Sequence, residues 1–164
     1  MNMIVCVDDR WGIGCGERLL VNIPDDKRFF REQTTGGVVL AGRKTMETLP
    51  GHKGLPGRKN LVMTHDPQYQ FPDAVSVRTV EEALQELGRY EEDRQYIIGG
   101  GEIYKLFLPY CTRVYVTKVH QTFPADVFFP DLDADPAWKP VSRSECLRYE
   151  DLAYQFLTYE KNTI

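Results

Sequence analysis

Two adjacent carboxylates, Asp25 and Asp26, stand early in the stretch VNIPDDKRFFREQTTG, residues 21–36. A helix starting at Pro24 suits both. Proline fits the first helical turn, where its missing N–H costs nothing, and acidic side chains there complement the helix dipole. Residues three and four apart share a helical face. From Asp26 these are Phe29 and Phe30; from Asp25 they are Arg28 and Phe29, with Glu32 one turn further. Asp25 therefore lies on the edge of the polar face, and Asp26 heads the apolar stripe. A carboxylate above two phenylalanines is either an N-terminal cap leaning inward or an acid kept in a pocket for chemistry. The stretch by itself leaves both open.

Other groups with chemical potential sit where apolar runs end. GRKT, residues 42–45, places two cations at a helix start. They oppose the dipole there, which points to an anion shared with backbone N–H groups, or else to plain solvated charge. Thr64 and His65 could add hydrogen bonds to the same anion. GGGEIY, residues 99–104, sets three glycines between a strand and a helix, where the main chain can approach a diphosphate or simply turn. It is not the spaced G-x-G-x-x-G fingerprint. Arg58 in LPGRKN precedes a strand, where a guanidinium can grip a carboxylate through two bonds or sit on the surface.

The elements that must position these groups alternate. Apolar or β-branched runs at 3–7, 38–41, 59–64, 74–77, 95–99 and 113–119 read as strands. Helical patterns fall at 24–34, 43–49, 79–87 and 102–111, with Thr79 as a cap for the third. The segment 154–161 alternates strongly and is expected to pair with a strand near 141–149 as a hairpin. This order predicts an α/β fold: a mostly parallel sheet with an antiparallel C-terminal edge hairpin. Ligands bind beyond the carboxyl ends of such strands. The stretch DDRWGIGCGERLLVN, residues 8–22, reads as a long loop without helical pattern, either a lid or an irregular crossover.

Composition narrows the classes. The chain has 164 residues, 42% hydrophobic and 27% charged, which favours one domain spanning 1–164. A net charge of −4 and a pI near 5.4 advertise no nucleic-acid surface. Cys6, Cys15, Cys111 and Cys146 form no C-x-x-C pair, and three histidines are too few for a zinc set, so free thiols in a reducing cytosol are expected. No signal peptide and no membrane-length apolar run are evident.

Taken in order, GIG in the first loop, NIPDDKRFFREQT, GRKTMETLP, LPGRKN, IIGGGEIY, YVTKV and ADVFFPD resemble dihydrofolate reductase over nearly the whole chain. The resemblance implies a twisted sheet with helices on both faces and one site. It also implies NADPH-dependent reduction of 7,8-dihydrofolate in a cytoplasmic monomer, with antifolates as further ligands. The family's acid falls on Asp26 and its partner hydroxyl on Thr117. Leu19, in a gate from about Asp8 to Ile23, is placed over the nicotinamide, and Asp126 lies in the loop that steadies the gate. Substrate contacts are implied for Ile4, Val5, Lys27, Phe30, Leu49, Arg58, Ile98 and Tyr104. Here Phe30 and Leu49 take the aminobenzoyl ring and Arg58 the glutamate carboxylate. Cofactor contacts are implied for Cys6, Ile13, Gly14, Gly42, Thr45, Gly99, Gly100, Gly101, Glu102 and Ile103, with a cis link between Gly99 and Gly100. Arg43, Lys44, Thr64 and His65 would surround the 2′-phosphate.

The implied chemistry moves hydride from C4 of nicotinamide to C6 of the pterin and a proton to N5, with no nucleophile or metal. The protein aligns two flat rings and excludes water. Two positions depart from the family pattern. Leu20-Val21 replaces a Pro-Trp or Pro-Leu pair, which removes an indole N–H, and Lys27 replaces an apolar residue after the acid. A pyrimidine reductase of riboflavin synthesis and a non-catalytic nucleotide-binding module are the competing readings. The combination of Asp26, Phe30 and Arg58 argues against the first, and intact Asp26 with Gly99–Gly101 against the second.

Overall fold

The structure, a computed structural model, describes residues 1–15, 18–19 and 22–162, the side chains of residues 15, 18 and 19 excepted. Along the chain lie β1 (Asn2–Val7), β2 (Gly12–Cys15), β3 (Arg18–Leu19), α1 (Pro24–Thr34), β4 (Val38–Gly42), α2 (Arg43–Glu47), β5 (Lys59–Met63) and β6 (Val75–Val77). They are followed by α3 (Val80–Leu87), β7 (Gln95–Gly99), α4 (Gly101–Phe107), β8 (Arg113–Val119), β9 (Val127–Phe128), β10 (Trp138–Arg143), β11 (Leu147–Tyr149) and β12 (Leu152–Lys161). The main sheet has the order β10-β12-β8-β1-β7-β4-β5-β6, with β11 beside β12. From β8 to β6 every pairing is parallel, and β12 is antiparallel to β8, β10 and β11.

Strand alternation divides the core into two layers. On one face Met3, Val5, Val7, Val38, Leu40, Ile97, Val114 and Val116 pack with Ala83 and Leu87 of α3 and Phe107 of α4. On the other, Ile4, Val39, Ala41, Tyr96 and Ile98 pack with Phe29 and Phe30 of α1 and Met46 of α2. Helices thus cover both faces, which is why the central strands read as unbroken apolar runs. Thr79 Oγ1 accepts from the Glu82 N–H at 3.0 Å and caps α3, as its sequence position predicts.

The C-terminal hairpin forms the expected antiparallel edge, with β12 between β8 and the outer strands β10 and β11. One expectation is modified: the first loop contains structure. β2 pairs with both β3 and β9 in a second, three-stranded sheet. Asp8, 2% exposed, fastens this unit by accepting from the N–H groups of Arg10 (2.9 Å), Gly12 (2.8 Å) and Phe123 (3.0 Å). The Asp126 N–H donates to Gly14 O at 3.0 Å. Among the described residues no helix is long and apolar enough to cross a membrane.

Candidate active site

Ile23 at the start of α1 makes no side-chain capping bond, and neither aspartate serves as a cap. Instead Thr117 Oγ1 of β8, itself 2% exposed, donates to Asp26 Oδ1 at 2.5 Å. Helical periodicity turns Asp26 toward the sheet, and the register Cys6↔Thr117 sets both of those side chains on the face it meets. Asp25 stays exposed, paired with Arg28, and accepts from the Tyr154 hydroxyl at 3.2 Å. Burial raises the Asp26 pKa above the ordinary carboxylate value, while Thr117 and the Cys6 thiol partly oppose the shift by favouring the anion. Cys6 is pushed well up in turn, by burial and then by the Asp26 charge, so its thiol stays neutral.

Ile4, Ile98, Phe30 and Leu49 come together in the apolar cluster beside Asp26. Val5 does not: alternation sends its side chain to the opposite layer, so only its main chain reaches this side. Tyr104 acts as a strut. Its buried hydroxyl lies 2.8 Å from Ile4 O and 2.9 Å from Ile98 O, and its proton is shared between them, tying β1 to β7. Lys27 is exposed on α1. Arg58 is half-buried, donating from Nη1 to Thr34 Oγ1 (3.0 Å) and from Nε to Pro56 O (2.9 Å). Burial and then the neighbouring Arg31 charge lower its pKa from the usual arginine value. No ion pair engages Arg58 among the described residues.

At the end of β7 the Gly99–Gly100 peptide is cis, as the sequence resemblance implies, and Gly99 has φ +129°. The glycine run is closely surrounded. A Cβ on Gly100 would lie 3.0 Å from Thr45 Oγ1, and one on Gly42 would lie 3.0 Å from Ile103 Cγ1. A Cβ on Gly101 would lie 2.6 Å from Val127 Cγ1 and 3.9 Å from Ile13 Cδ1. Gly42, Thr45, Ile103, Ile13 and the three glycines therefore form one neighbourhood, with main chain where side chains would otherwise stand. Glu102 is exposed in the first turn of α4, and Gly14 lies in β2. We predict that Gly101→Ala lowers stability by about 1–3 kcal/mol, because β9 must move away from α4; a urea melt measures it.

The register Gly42↔Met63 between β4 and β5 brings Arg43 and Lys44 beside Thr64 and His65. Lys44 and His65 are exposed, and Thr64 Oγ1 accepts from the Asp66 N–H at 3.2 Å. Arg43 is more constrained than its sequence position suggests. Its Nε donates to Glu47 at 3.0 Å, and its guanidinium lies 4.6 Å from the Tyr69 ring centroid. The Tyr69 hydroxyl also donates to Glu47 at 3.0 Å. The i,i+4 spacing of Arg43 and Glu47 was a readable signal for the ion pair; the role of Tyr69 had none. The Leu20-Val21 departure and the side chain of Leu19 lie outside the described residues.

Comparison with known proteins agrees with this geometry. A family model described as dihydrofolate reductase matches residues 1–161. The dihydrofolate reductase of Bacillus subtilis is 34% identical over 163 residues, 98% of this chain and 94% of that protein. That of Neisseria gonorrhoeae is 36% identical over 148 residues, 90% and 89% of the two chains. A solved dihydrofolate reductase from Enterococcus faecalis, complexed with NADP(H) and RAB-propyl, superposes with a TM-score of 0.87 at 31% identity, covering 99% and 96%. Fold and family match together define an oxidoreductase of the nicotinamide-nucleotide class. The chain belongs to the dihydrofolate reductase family.

Proposed function

We infer that this chain reduces 7,8-dihydrofolate to tetrahydrofolate with NADPH, and that Asp26 is the carboxylate the reaction needs. The observation that carries the reading is the Thr117–Asp26 bond of 2.5 Å, with Phe30 one helical turn on from the acid in an apolar cluster that also contains Ile4 and Ile98. NADPH, when bound, supplies the hydride to C6 of the pterin. The main chain at Gly99, Gly100 and Gly101, the Thr45 hydroxyl, and the Ile13 and Ile103 side chains would hold it; glycine at these positions also avoids the contacts that a Cβ would make with Tyr104, Thr45 and Val127. Asp26 accepts from the amino and ring N–H edge of the pterin. It favours the protonated substrate electrostatically, and a water delivers the proton to N5. Thr117 and Cys6 hold the acid in place. Ile4, Ile98, Phe30 and Leu49 exclude bulk water from the ring, and Arg58 takes the glutamate carboxylate.

A dihydrofolate-dependent loss of the reduced-nicotinamide absorbance on adding the protein tests the whole reading. Turnover of a ribityl-pyrimidine instead, or tight NADPH binding with no turnover, would overturn it.

Arg43, Lys44, Thr64 and His65 are the proposed 2′-phosphate site. We expect Arg43→Ala with Lys44→Ala to remove most of the preference for NADPH over NADH, each lost charge-assisted bond costing about 1.5–3 kcal/mol. An unchanged ratio of kcat/KM for the two cofactors would place the site elsewhere. Arg43 must leave or share Glu47 to reach an anion, so Glu47→Gln should tighten NADPH binding slightly.

A further inference from the structure

The first turn of α1 is held by two hydroxyls from the sheet, one for each carboxylate. Thr117 of β8 donates to Asp26, and Tyr154 of β12 donates to Asp25 Oδ2 at 3.2 Å. These two strands are neighbours with Tyr154↔Val119 and Phe156↔Thr117 in register, so both hydroxyls rise from the same face. Tyr154 is 1% exposed. It packs with Ile23 and Val119, and its ring meets Phe156 edge-on at 5.7 Å. It is a rigid post in the sheet. The helix start it meets has no side-chain cap to set its direction. The Asp26 charge also reaches the Tyr154 phenol, so the two carboxylates and the phenol form one electrostatic group.

We propose that Tyr154 is a positioning residue for the reaction. Through Asp25 it fixes the first turn of α1 and thereby the aim of Asp26. This rests on the reading of Asp26 as the functional acid. The charged and titratable groups that act on this cluster are Arg28 on α1, which pairs with Asp25, and Cys6 on β1, which meets Asp26, with Tyr154 on β12. Cys6 and Thr117 act on Asp26, and Arg28 belongs to the helix being positioned, so for Asp25 the phenol is the donor fixed to the sheet among the described residues. A misaimed acid costs rate rather than fold.

The test uses Tyr154→Phe, Asp25→Ala, their combination and Asp25→Asn in the full chain. Tyr154→Phe and Asp25→Ala should each lower kcat for dihydrofolate roughly 3- to 10-fold while leaving the KM for NADPH unchanged. The double variant should be no worse than the poorer single one, as expected for two ends of one bond. Asp25→Asn keeps an oxygen acceptor and should restore most of what Asp25→Ala loses. The Asp26 carboxyl, followed by carbon NMR in the protein without substrate, should titrate higher in Tyr154→Phe, because a shifted first turn weakens the Thr117 and Cys6 bonds that lower its pKa. Strictly multiplicative losses in the double variant would overturn the proposal. So would a Tyr154→Phe protein that loses only urea stability, with kcat and the Asp26 titration unmoved. The titration needs no turnover, so it decides the positioning role even if the wild-type chain fails to reduce dihydrofolate, a result that would sink the functional reading instead.

Discussion

Asp26→Asn is expected to lower kcat for dihydrofolate reduction at neutral pH by roughly 10²-fold or more, the range for losing a positioned acid–base group. Residual activity should rise toward acid, where the substrate itself is protonated. Stability should move the other way or not at all. Burial raises the folded-state pKa of Asp26, so the native chain holds this proton more tightly than the unfolded chain does. Below the unfolded value the carboxyl is neutral in both states and costs nothing. As pH rises through the unfolded value the cost of a half-buried charge develops, and it is complete above the folded pKa. Asparagine escapes that cost and still offers an oxygen to Thr117. The variant should therefore match or exceed wild type in urea at neutral pH, and the two should converge in acid. Such a gain on removing a functional charge is a common stability–activity trade-off. Asp25→Asn keeps an acceptor for Tyr154 and should retain most of the turnover. If Asp25→Asn is the inactive variant, or Asp26→Asn loses a substantial part of its stability, the assignment of the acid is wrong.

Arg58→Leu should raise the KM for dihydrofolate roughly 10²-fold and change kcat little, because a grip on the distant carboxylate is made equally in ground and transition states. The structure explains why the protein should tolerate the change. Thr34 Oγ1 loses a donor but keeps its own bond to Phe30 O at 2.8 Å, and no ion pair of Arg58 is broken among the described residues. Arg31, close enough to depress the Arg58 pKa, adds positive potential at the same place. Arg58→Lys should recover only part of the affinity, because an ammonium has the charge without the planar fork. Steady-state kinetics on the three proteins check this. A collapsed kcat with unchanged KM would remove Arg58 from the substrate's tail.

Much of the architecture was legible from short-range pattern. Unbroken apolar runs at β1, β4 and β7 implied strands covered on both faces, and α3 and α4 supply one of those covers. Pro24, two acids and the phenylalanine stripe were enough to start α1 and to turn Asp26 inward, since a 3.6-residue period needs no knowledge of distant chain. The small sheet of β2, β3 and β9 was not legible. Its strands are two to four residues long, and β2 reaches β9 across more than a hundred residues. The side of Val5 was not legible either, because a strand buried on both faces shows no alternation to read. The hydroxyl of Tyr104 on two carbonyls, Arg43 turned onto Tyr69, and the separate partners of Asp25 and Asp26 depend on which strands lie side by side. Local periodicity could say which carboxylate faces the sheet. Only the strand order could say that Thr117 waits there for one and Tyr154 for the other.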